Sequence, residues 1–405
     1  YTAACIFIVV KEMGYETYSK RKIVLEHEIL EGYALVIEHD RIKDIIKEDV
    51  ADDLHVEEVF DACGGYITPG FIDIHSDYIE KMAAPRKTSV MDMQLAVYEF
   101  EKECCSHGIT TMFHSVSMLD NELGTPMRNP ENVKKLVEII EESHSQLHLI
   151  HNRFHMRFEI DNFTQFPLMM EYLKKGYVHL LSFMDHTPGQ GQYRDLEIYK
   201  KTYLVDDKGT RSEEEIEEML KEKMNTQKLT MDAIRCASDL AKEKEIAVAS
   251  HDDDTIEKLD VVQSFGATIS EFPITLEVAK EAKKRGMYTV VGAPNILLGG
   301  SHSGNMSARD AIEAGCADIL CSDYYPASLL HSVFKMEEYG QKLEDMIAKV
   351  TIQPARAAQI DHICGSIEKN KKADLLIIMK LPNGLPAITH VFVDGQLTQR
   401  NHYRM

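Results

Sequence analysis

The chain has 405 residues, is 44% hydrophobic and 27% charged, and can form one large domain and a smaller one. Its net charge of −21 disfavours nucleic acid and anionic membranes as partners, and no apolar run reaches the length of a transmembrane helix. The eight cysteines are scattered without a CxxC pair, so we expect reduced thiols and a cytoplasmic protein.

The two ends of the chain predict short strands separated by turns. The N-terminal strands are expected at residues 5–10, 23–30, 33–38 and 41–46, and the C-terminal ones at 365–367, 373–379 and 391–395. The simplest packing joins the two ends, because each strand set must bury one apolar face. We therefore assign residues 1–62 and 361–405 to one small β-sandwich.

The middle of the chain alternates apolar strands with amphipathic helices. The strands are predicted near 70–75, 110–117, 148–159, 178–186, 246–252, 267–272, 288–294 and 317–323. The helices are predicted at 92–107, 131–143, 227–243, 255–264, 275–285 and 307–314. Alternation of this kind predicts parallel βαβ units, and eight of them indicate a (β/α)8 barrel over residues 63–360. An open doubly wound sheet is the alternative, disfavoured because no GxGxxG follows a strand.

Polar residues stand where five of these strands end, and in such a barrel the C-terminal strand ends form one rim. They are His75, Asp77, Glu159, His186, His251 and Asp323. Any one of them could be a surface residue or a helix cap. Six on one rim predict a centre for one or two divalent ions, with Asp323 also moving a proton from bound water. Zn²⁺ is the expected ion, and Mn²⁺, Fe²⁺, Co²⁺ and Mg²⁺ are the alternatives.

Four segments carry a resemblance to a known family: ITPGFIDIHSD at 67–77, TIQPARAAQI at 351–360, GSIEKNKKADLLII at 365–378 and VFVDG at 391–395. The sequence resembles the amidohydrolase superfamily of metal-dependent hydrolases. It departs from the superfamily's first-strand motif because Asp77 replaces the second His. The resemblance implies the same barrel, a bound divalent metal and the six ligands named above.

The resemblance also exposes a mismatch in the order of the strands. The superfamily commonly places two lone His ligands on strands five and six, and a bridging Lys on strand four. Here His186 and His251 fall on predicted strands four and five, and Glu159 would take the place of the Lys. Either the strand count is shifted by one or this subgroup differs.

A narrower resemblance points to a substrate. It rests on HSDYIEK at 75–81, APR at 84–86, GITT at 108–111, Arg157-Phe158-Glu159, SHDDDT at 250–255, EFPIT at 271–275, GAPNILLGGSHSGN at 292–305 and SDYYPASLL at 322–330. These segments are similar to the diphosphatases of phosphonate metabolism that convert α-D-ribose 1-methylphosphonate 5-triphosphate to the 5-phosphate and pyrophosphate. Hydrolysis of an amide, a cyclic amide or an amine on the same scaffold is the alternative. A third reading is an inactive scaffold that binds a partner, against which the full ligand set argues.

The implied substrate is a polyanion and needs donors. A glycine-rich segment can approach phosphate closely, which favours Ser301, His302, Ser303 and Asn305 as contacts. Arg86 and Arg157 are the expected phosphate-binding arginines, with a surface ion pair as the alternative for each. Tyr324 is expected to line the ribose or phosphonate end. Lys81 and Arg153 are further basic residues near strand ends, and a homodimer is also expected.

Overall fold

The fold consists of two terminal sheets and a barrel, as seen in a computed structural model. The structure describes residues 5–8, 22–51, 58–62, 64–86, 89–118, 126–189, 191, 213–300 and 305–403. Within these residues, none of the helices is both long enough and apolar enough to cross a membrane.

The chain ends build two facing sheets. Their strands are β1 (Cys5–Ile8), β2 (Lys22–Val24), β3 (Ile29–Glu31), β4 (Tyr33–Glu38), β5 (Arg41–Lys47), β6 (Glu58–Val59) and β7 (Tyr66–Pro69), followed after the barrel by β16 (Leu375–Lys380), β17 (Pro386–Val393) and β18 (Gln396–Arg400). In the described residues one sheet has the order β5-β4-β1-β6 and the other β18-β17-β16-β7-β2-β3. The N- and C-terminal segments therefore share a sheet, as expected.

A common core holds the two sheets together. Ile37 of β4 packs in one cluster with Ile67 of β7, Ile377 of β16 and Phe392 of β17. Phe392 is fully buried and meets the ring of Phe60 edge-on at 5.0 Å between ring centroids. Burial of these side chains drives the association because each strand presents alternate residues to this face.

Two strand boundaries differ from the sequence expectation. The single strand predicted at 23–30 is a hairpin of β2 and β3, since the Leu25 N–H donates to the Glu28 carbonyl at 2.9 Å and turns the chain. Strand β7 pairs with β2 and β16 in the six-stranded sheet, and the chain enters the barrel only after Gly70.

The barrel strands follow one another in chain order. They are β8 (Phe71–Ser76), β9 (Ile109–Ser117), β10 (His151–Glu159), β11 (Leu180–Met184), β12 (Ala247–His251), β13 (Ile269–Glu271), β14 (Tyr288–Gly292) and β15 (Ile319–Cys321). Each is parallel to its neighbour, and a Ser76–Asp323 bridge joins the two ends of the sheet. The predicted eight-stranded barrel is confirmed, and each strand lies at its predicted place.

Helices cover the outside of the barrel. In the described residues they are α2 (Tyr78–Ala83), α3 (Met93–Ser106), α4 (Pro130–Ser143), α5 (Phe166–Lys175), α6 (Glu213–Met224), α7 (Met231–Glu243), α8 (Ile256–Ser264), α9 (Leu276–Lys284), α10 (Ala293–Leu298), α11 (Ala308–Glu313), α12 (Ser328–Glu338), α13 (Leu343–Ala348) and α14 (Ile352–Ala357). A short helix, α1 (Glu48–Ala51), follows β5, and one 3-10 turn spans Pro126–Arg128. All six predicted helices are present to within a few residues.

Apolar side chains fill the barrel interior. Phe113, Leu180 and Ile269 lie in one buried cluster with Ile352 and Ala355 of α14. The backbone N–H of Ile72, near the start of β8, donates to the Val350 carbonyl at 2.8 Å. The segment leading into α14 thus meets the N-terminal end of the barrel, while the opposite rim carries the polar residues.

Candidate metal centre

Three non-glycine residues with left-handed backbone mark the C-terminal rim. They are Asp252, Phe272 and Asp323, with φ of 54°, 53° and 58°, each within two residues of the end of its barrel strand. Such conformations are uncommon for side-chain-bearing residues and cluster at functional sites. The sharp turns follow β12, β13 and β15 at the level where His251 and Glu271 end their strands.

His75 and Glu271 form a fully buried pair across the barrel. The His75 Nδ1 lies 2.8 Å from Glu271 Oε1, and both side chains are almost inaccessible to solvent. Burial lowers the pKa of His75 well below its usual value, and the positive charge of Arg157 adds to this effect. The neutral ring donates its Nδ1–H to the carboxylate, which leaves the Nε2 lone pair for a metal ion.

His251 lies at the middle of the cluster. Its Nδ1 is 3.2 Å from Asp252 Oδ2, and its Nε2 is 3.3 Å from a guanidinium nitrogen of Arg157. Its ring centroid is 5.4 Å from that of His75 and 5.7 Å from that of His186. The His251 imidazole therefore lies between His75 on one side of the rim and His186 on the other.

Glu159 and His186 complete the cluster on the other side. Glu159 Oε1 and His186 Nδ1 form a short ion-pair contact, and His186 Nε2 lies 3.7 Å from Asp252 Oδ2. Burial alone would raise the pKa of Glu159, but His186 and Arg157 outweigh it and hold that pKa below the usual value. Glu159 is therefore an ionised carboxylate at neutral pH and can act as a ligand.

The donor atoms converge in two overlapping groups. One atom each from His75, His251 and Glu271 lie within 4.8 Å of one another, and so do atoms of His186, His251 and Asp252. Glu271 Oε2 is buried without a hydrogen-bond partner, and His251 Nδ1 and Asp252 Oδ2 are buried with no hydrogen bond besides their 3.2 Å ion-pair contact. A buried acceptor without a hydrogen-bond partner lowers the stability of the fold unless another group, such as a metal ion, binds it. The mixture of imidazole and carboxylate fits one or two divalent cations.

Asp323 and Asp77 lie where β8 meets β15. The Asp323 N–H donates to the His75 carbonyl and the Asp77 N–H to the Asp323 carbonyl, both at 3.0 Å. Burial, with the Asp77 carboxylate as the next cause, raises the pKa of Asp323 to about 7. A carboxyl group with such a pKa can accept and release a proton near neutrality.

Comparison with known proteins assigns the fold and the rim to a family. The sequence profile of the Amidohydrolase family matches residues 66–398. The chain belongs to this family. Its members generally use a divalent metal, which agrees with the donor groups on the rim.

One curated relative is similar over nearly its whole length. The chain is 32% identical over 384 residues to the alpha-D-ribose 1-methylphosphonate 5-triphosphate diphosphatase of Escherichia coli strain K12, which covers 93% of this chain and 98% of the relative. Among solved structures, molinate hydrolase superposes with a TM-score of 0.66 at 15% identity, covering 98% of this chain and 95% of that one. N-acetylglucosamine-6-phosphate deacetylase from Pasteurella multocida gives 0.62 at 15%, covering 98% and 100%. At such identities these two structures show the fold alone.

The structure confirms the strand count made from the sequence. His186 follows the fourth barrel strand and His251 ends the fifth. The sixth strand ends in Glu271. A shifted strand count therefore does not explain the mismatch, and a difference of the subgroup stays a prediction.

The structure corrects the expected position of Asp77. Strand β8 ends at Ser76, so Asp77 does not share a strand face with His75 but holds the N-cap position of α2. Its side chain makes no capping hydrogen bond and lies 3.9 Å from the Arg128 guanidinium. The chain turns at this point because α2 begins immediately after the strand.

The predicted substrate-binding residues are placed unequally. Arg157 is only 8% exposed and lies inside the cluster. Tyr324 is half-buried, and its carbonyl accepts from Lys81 Nζ at 3.2 Å. Arg86 is exposed, and Asn305 is half-buried just before α11. Ser301, His302 and Ser303 lie outside the described residues.

Arg153 does not belong to this rim. It is the third residue of β10, whereas Arg157 is the seventh, and it pairs in register with Phe113. Its guanidinium carbon lies 5.7 Å from the centroid of the Phe113 ring. The expectation that Arg153 stands near the functional strand ends is wrong, because β10 is long enough to carry its two inward arginines to opposite ends.

Two residues of the cluster were missing from the sequence expectation, Asp252 and Glu271. Both lie in segments that carry the narrower resemblance, SHDDDT and EFPIT, at the ends of predicted strands. Glu271, like His251, is a potential metal ligand at the C-terminal end of a barrel strand, so the same sequence pattern indicates both.

Proposed function

We propose that the protein is a metal-dependent diphosphatase. It would hydrolyse α-D-ribose 1-methylphosphonate 5-triphosphate with water to the 5-phosphate and pyrophosphate. The observation that carries the proposal is the 32% identity to the Escherichia coli diphosphatase over 98% of that protein. A similarity that runs through both terminal segments and the barrel supports a shared reaction better than a likeness of fold does.

The metal ligands of the proposal are the six predicted residues, His75, Asp77, Glu159, His186, His251 and Asp323, joined by Asp252. Glu271 would hold His75 in the tautomer that presents Nε2 to the ion. When bound, a divalent ion would lower the pKa of a water molecule toward neutrality and polarise a phosphoryl oxygen. Zn²⁺ is the expected ion, with Mn²⁺, Fe²⁺, Co²⁺ and Mg²⁺ as alternatives.

Asp323 is the proposed proton acceptor. Burial and then the Asp77 carboxylate raise its pKa to about 7, and a carboxylate at this position would accept a proton from an attacking water. Its backbone is fixed between His75 and Asp77 by two hydrogen bonds of 3.0 Å. The backbone that carries the carboxylate is therefore held next to His75 and Asp77.

Arg157 favours an anionic substrate over a neutral amide. It is a permanent cation, almost fully buried, and one of its nitrogens lies 3.3 Å from His251. Among the described residues no carboxylate lies within ion-pair distance of its guanidinium, so the charge is available to a phosphate. Arg86, Ser301, His302, Ser303, Asn305 and Tyr324 complete the proposed substrate site.

The proposal is tested by pyrophosphate release. Protein reconstituted in turn with Zn²⁺, Mn²⁺ and Mg²⁺ should release pyrophosphate from ribose 1-methylphosphonate 5-triphosphate, and EDTA should abolish the release. The Arg157→Gln variant should raise KM more than it lowers kcat, because it removes a binding contact. Metal-loaded protein that releases none, but hydrolyses an amide or cyclic amide, would contradict the diphosphatase and leave the hydrolase family in place.

We also propose which partners the protein has and where in the cell it lies. The substrate is a small phosphorylated molecule, and we expect neither nucleic acid nor membrane as a partner for a chain of net charge −21. A homodimer and a cytoplasmic location are expected. Light scattering on the metal-loaded protein would give the oligomeric state directly.

A further inference from the structure

A second polar cavity opens at the end of the barrel opposite the metal centre. Its volume is about 440 Å³, and it lies among the end of α4, the start of β10, the segment before β16 and the end of β17. The lining residues that matter below are His148, His151, Arg153, His179, Lys372 and Asp394. A volume of this size accommodates a small organic ligand.

Arg153 is the unusual residue of this cavity. Its Nε is buried without a hydrogen-bond partner, and among the described residues no carboxylate lies within ion-pair distance of its guanidinium. Burial lowers the pKa of Arg153, but a guanidinium stays protonated at any physiological pH. A buried donor of a charged group without a partner is costly, so the Arg153 guanidinium can still bind an acceptor from the cavity.

The other basic residues of the wall already have acidic neighbours. Lys372 pairs with Asp394, and His148 pairs with the buried Glu101. His151 Nε2 lies 3.2 Å from Asp374 Oδ2. Lys372 is thus a cation of the wall that a carboxylate already pairs, and Arg153 is the cation of the described wall with no carboxylate within ion-pair distance.

His179 adds a directed hydrogen-bond donor. Its Nδ1 accepts the backbone N–H of Phe154 at 3.0 Å, so the neutral ring must carry its proton on Nε2. Burial, followed by the nearby charge of Arg153, lowers the pKa of His179 to about 3, which keeps the ring neutral. The Nε2–H is 4.0 Å from Glu141 Oε1, beyond hydrogen-bond distance.

The same hydrogen bond argues against a metal ion here. Donor atoms of Glu141, His144 and His179 do lie within 4.8 Å of one another. A neutral His179 whose Nδ1 accepts a hydrogen bond has no lone pair left on Nε2 for a metal. The neighbouring group of His151, Asp374 and Asp394 already holds the Lys372 ammonium group against Asp394.

We propose that this cavity binds a phosphate-type oxyanion, either inorganic phosphate or a phosphate monoester, through the Arg153 guanidinium and the His179 Nε2–H. The guanidinium offers parallel N–H donors that match phosphate oxygens, and the imidazole offers a third donor. The site is separate from the metal centre because Arg153 and Arg157 lie at opposite ends of β10. The inference is independent of the proposed reaction.

The test measures phosphate binding by calorimetry on metal-loaded protein. An Arg157→Gln background weakens phosphate binding at the metal centre, and the difference in heat between this background and the same background carrying Arg153→Gln reports the second cavity. Adding Arg153→Gln should weaken the binding of inorganic phosphate by about tenfold or more, because each hydrogen bond to a charged group is worth roughly 1.5–3 kcal/mol. Arg153→Lys should retain part of the affinity, and Lys135→Gln, which removes an exposed cation of α4 outside the cavity, should retain nearly all of it.

Two outcomes would overturn the proposal. One is that Arg157→Gln protein binds no phosphate and no ribose 5-phosphate at millimolar concentration. The other is that Arg153→Gln leaves both affinities unchanged. Arg153→Met guards against a folding defect, because an apolar side chain of similar length removes the unpaired charge, and it should melt no lower than the wild type while losing the stabilisation by phosphate. Comparing inorganic phosphate with ribose 5-phosphate distinguishes the free ion from an ester.

Discussion

At the scale of single residues, Asp323 can be tested without disturbing the backbone. Its φ of 58° is left-handed, and Asn tolerates that conformation better than most residues do. We therefore expect Asp323→Asn to fold normally but to lose about 10²–10⁴-fold in kcat, the usual contribution of general acid–base catalysis. The measurement is turnover of the metal-loaded variant beside its melting temperature.

Glu245 provides the matched control for Asp323. It is an exposed acidic residue with φ of 57°, and it lies in the turn before β12 rather than on the functional rim. Glu245→Gln should leave both turnover and melting temperature unchanged. Full activity of Asp323→Asn would refute its assigned role as proton acceptor.

Glu271 can be tested through metal affinity rather than activity. Its carboxylate accepts the Nδ1–H of His75 at 2.8 Å and is completely buried. Glu271→Gln keeps the shape but removes the charge, and the loss of such a supporting contact commonly costs 10–100-fold in metal affinity. We expect a loss of about that size in competition with a chelator. The exposed Glu277→Gln on α9 should not change the affinity, and an unchanged affinity in Glu271→Gln would show that the pair is only structural.

At the scale of elements, periodicity predicted the barrel well and its short helices poorly. Strand β11, with the sequence LLSFM, is a nearly continuous apolar run, so its position follows from composition. The longer α5, α6 and α12 were not predicted either, whereas α11 was predicted with only six residues. Helices α2, α10, α13 and α14 have six residues each, a length over which a 3.6-residue period is weak. The position of Asp77 depended on such a helix, because α2 begins at Tyr78 and ends the strand before the carboxylate.

Gly70 is the junction between the six-stranded sheet and the barrel. A Cβ placed there would lie 2.1 Å from Thr110 Oγ1 and 2.4 Å from its methyl carbon. Thr110 is fully buried and β-branched, so it cannot rotate away. We expect Gly70→Ala to destabilise the protein by about 1–3 kcal/mol, the usual cost of overpacking.

Adding Thr110→Ala to Gly70→Ala should recover part of that stability, because it removes the two atoms that clash most closely. The comparison of the two single variants and the double variant in thermal unfolding measures the coupling. Simple additivity of the two changes would show that the destabilisation arises elsewhere, in the backbone of the junction.

At the scale of the whole molecule, the six-stranded sheet belongs to two cores at once. Leu375 and Ile377 of β16 point into the sandwich, whereas Leu376 and Ile378 join the large cluster that includes Phe71 and the barrel helices. The sequence shows β16 as a continuous apolar run, which is typical of a strand buried on both faces. The sequence does not show that Arg153 lies near the N-terminal end of β10 and Arg157 near its C-terminal end. Both were therefore predicted to lie near strand ends that carry the functional residues.

A shared central sheet predicts that the barrel and the sandwich unfold together. Leu376 and Ile377 are adjacent and at most 1% exposed, but they face different cores. Truncation of either to Ala should cost about 2–5 kcal/mol, the usual price of a large cavity. Because β16 packs in both cores, a cavity in one core also destabilises the other. We therefore expect each variant to show one calorimetric transition at a lower temperature, with metal release at that same temperature. If Ile377→Ala instead gave two transitions, with metal retained through the first, the sandwich would be a separately folding unit and the coupling through β16 would be weak.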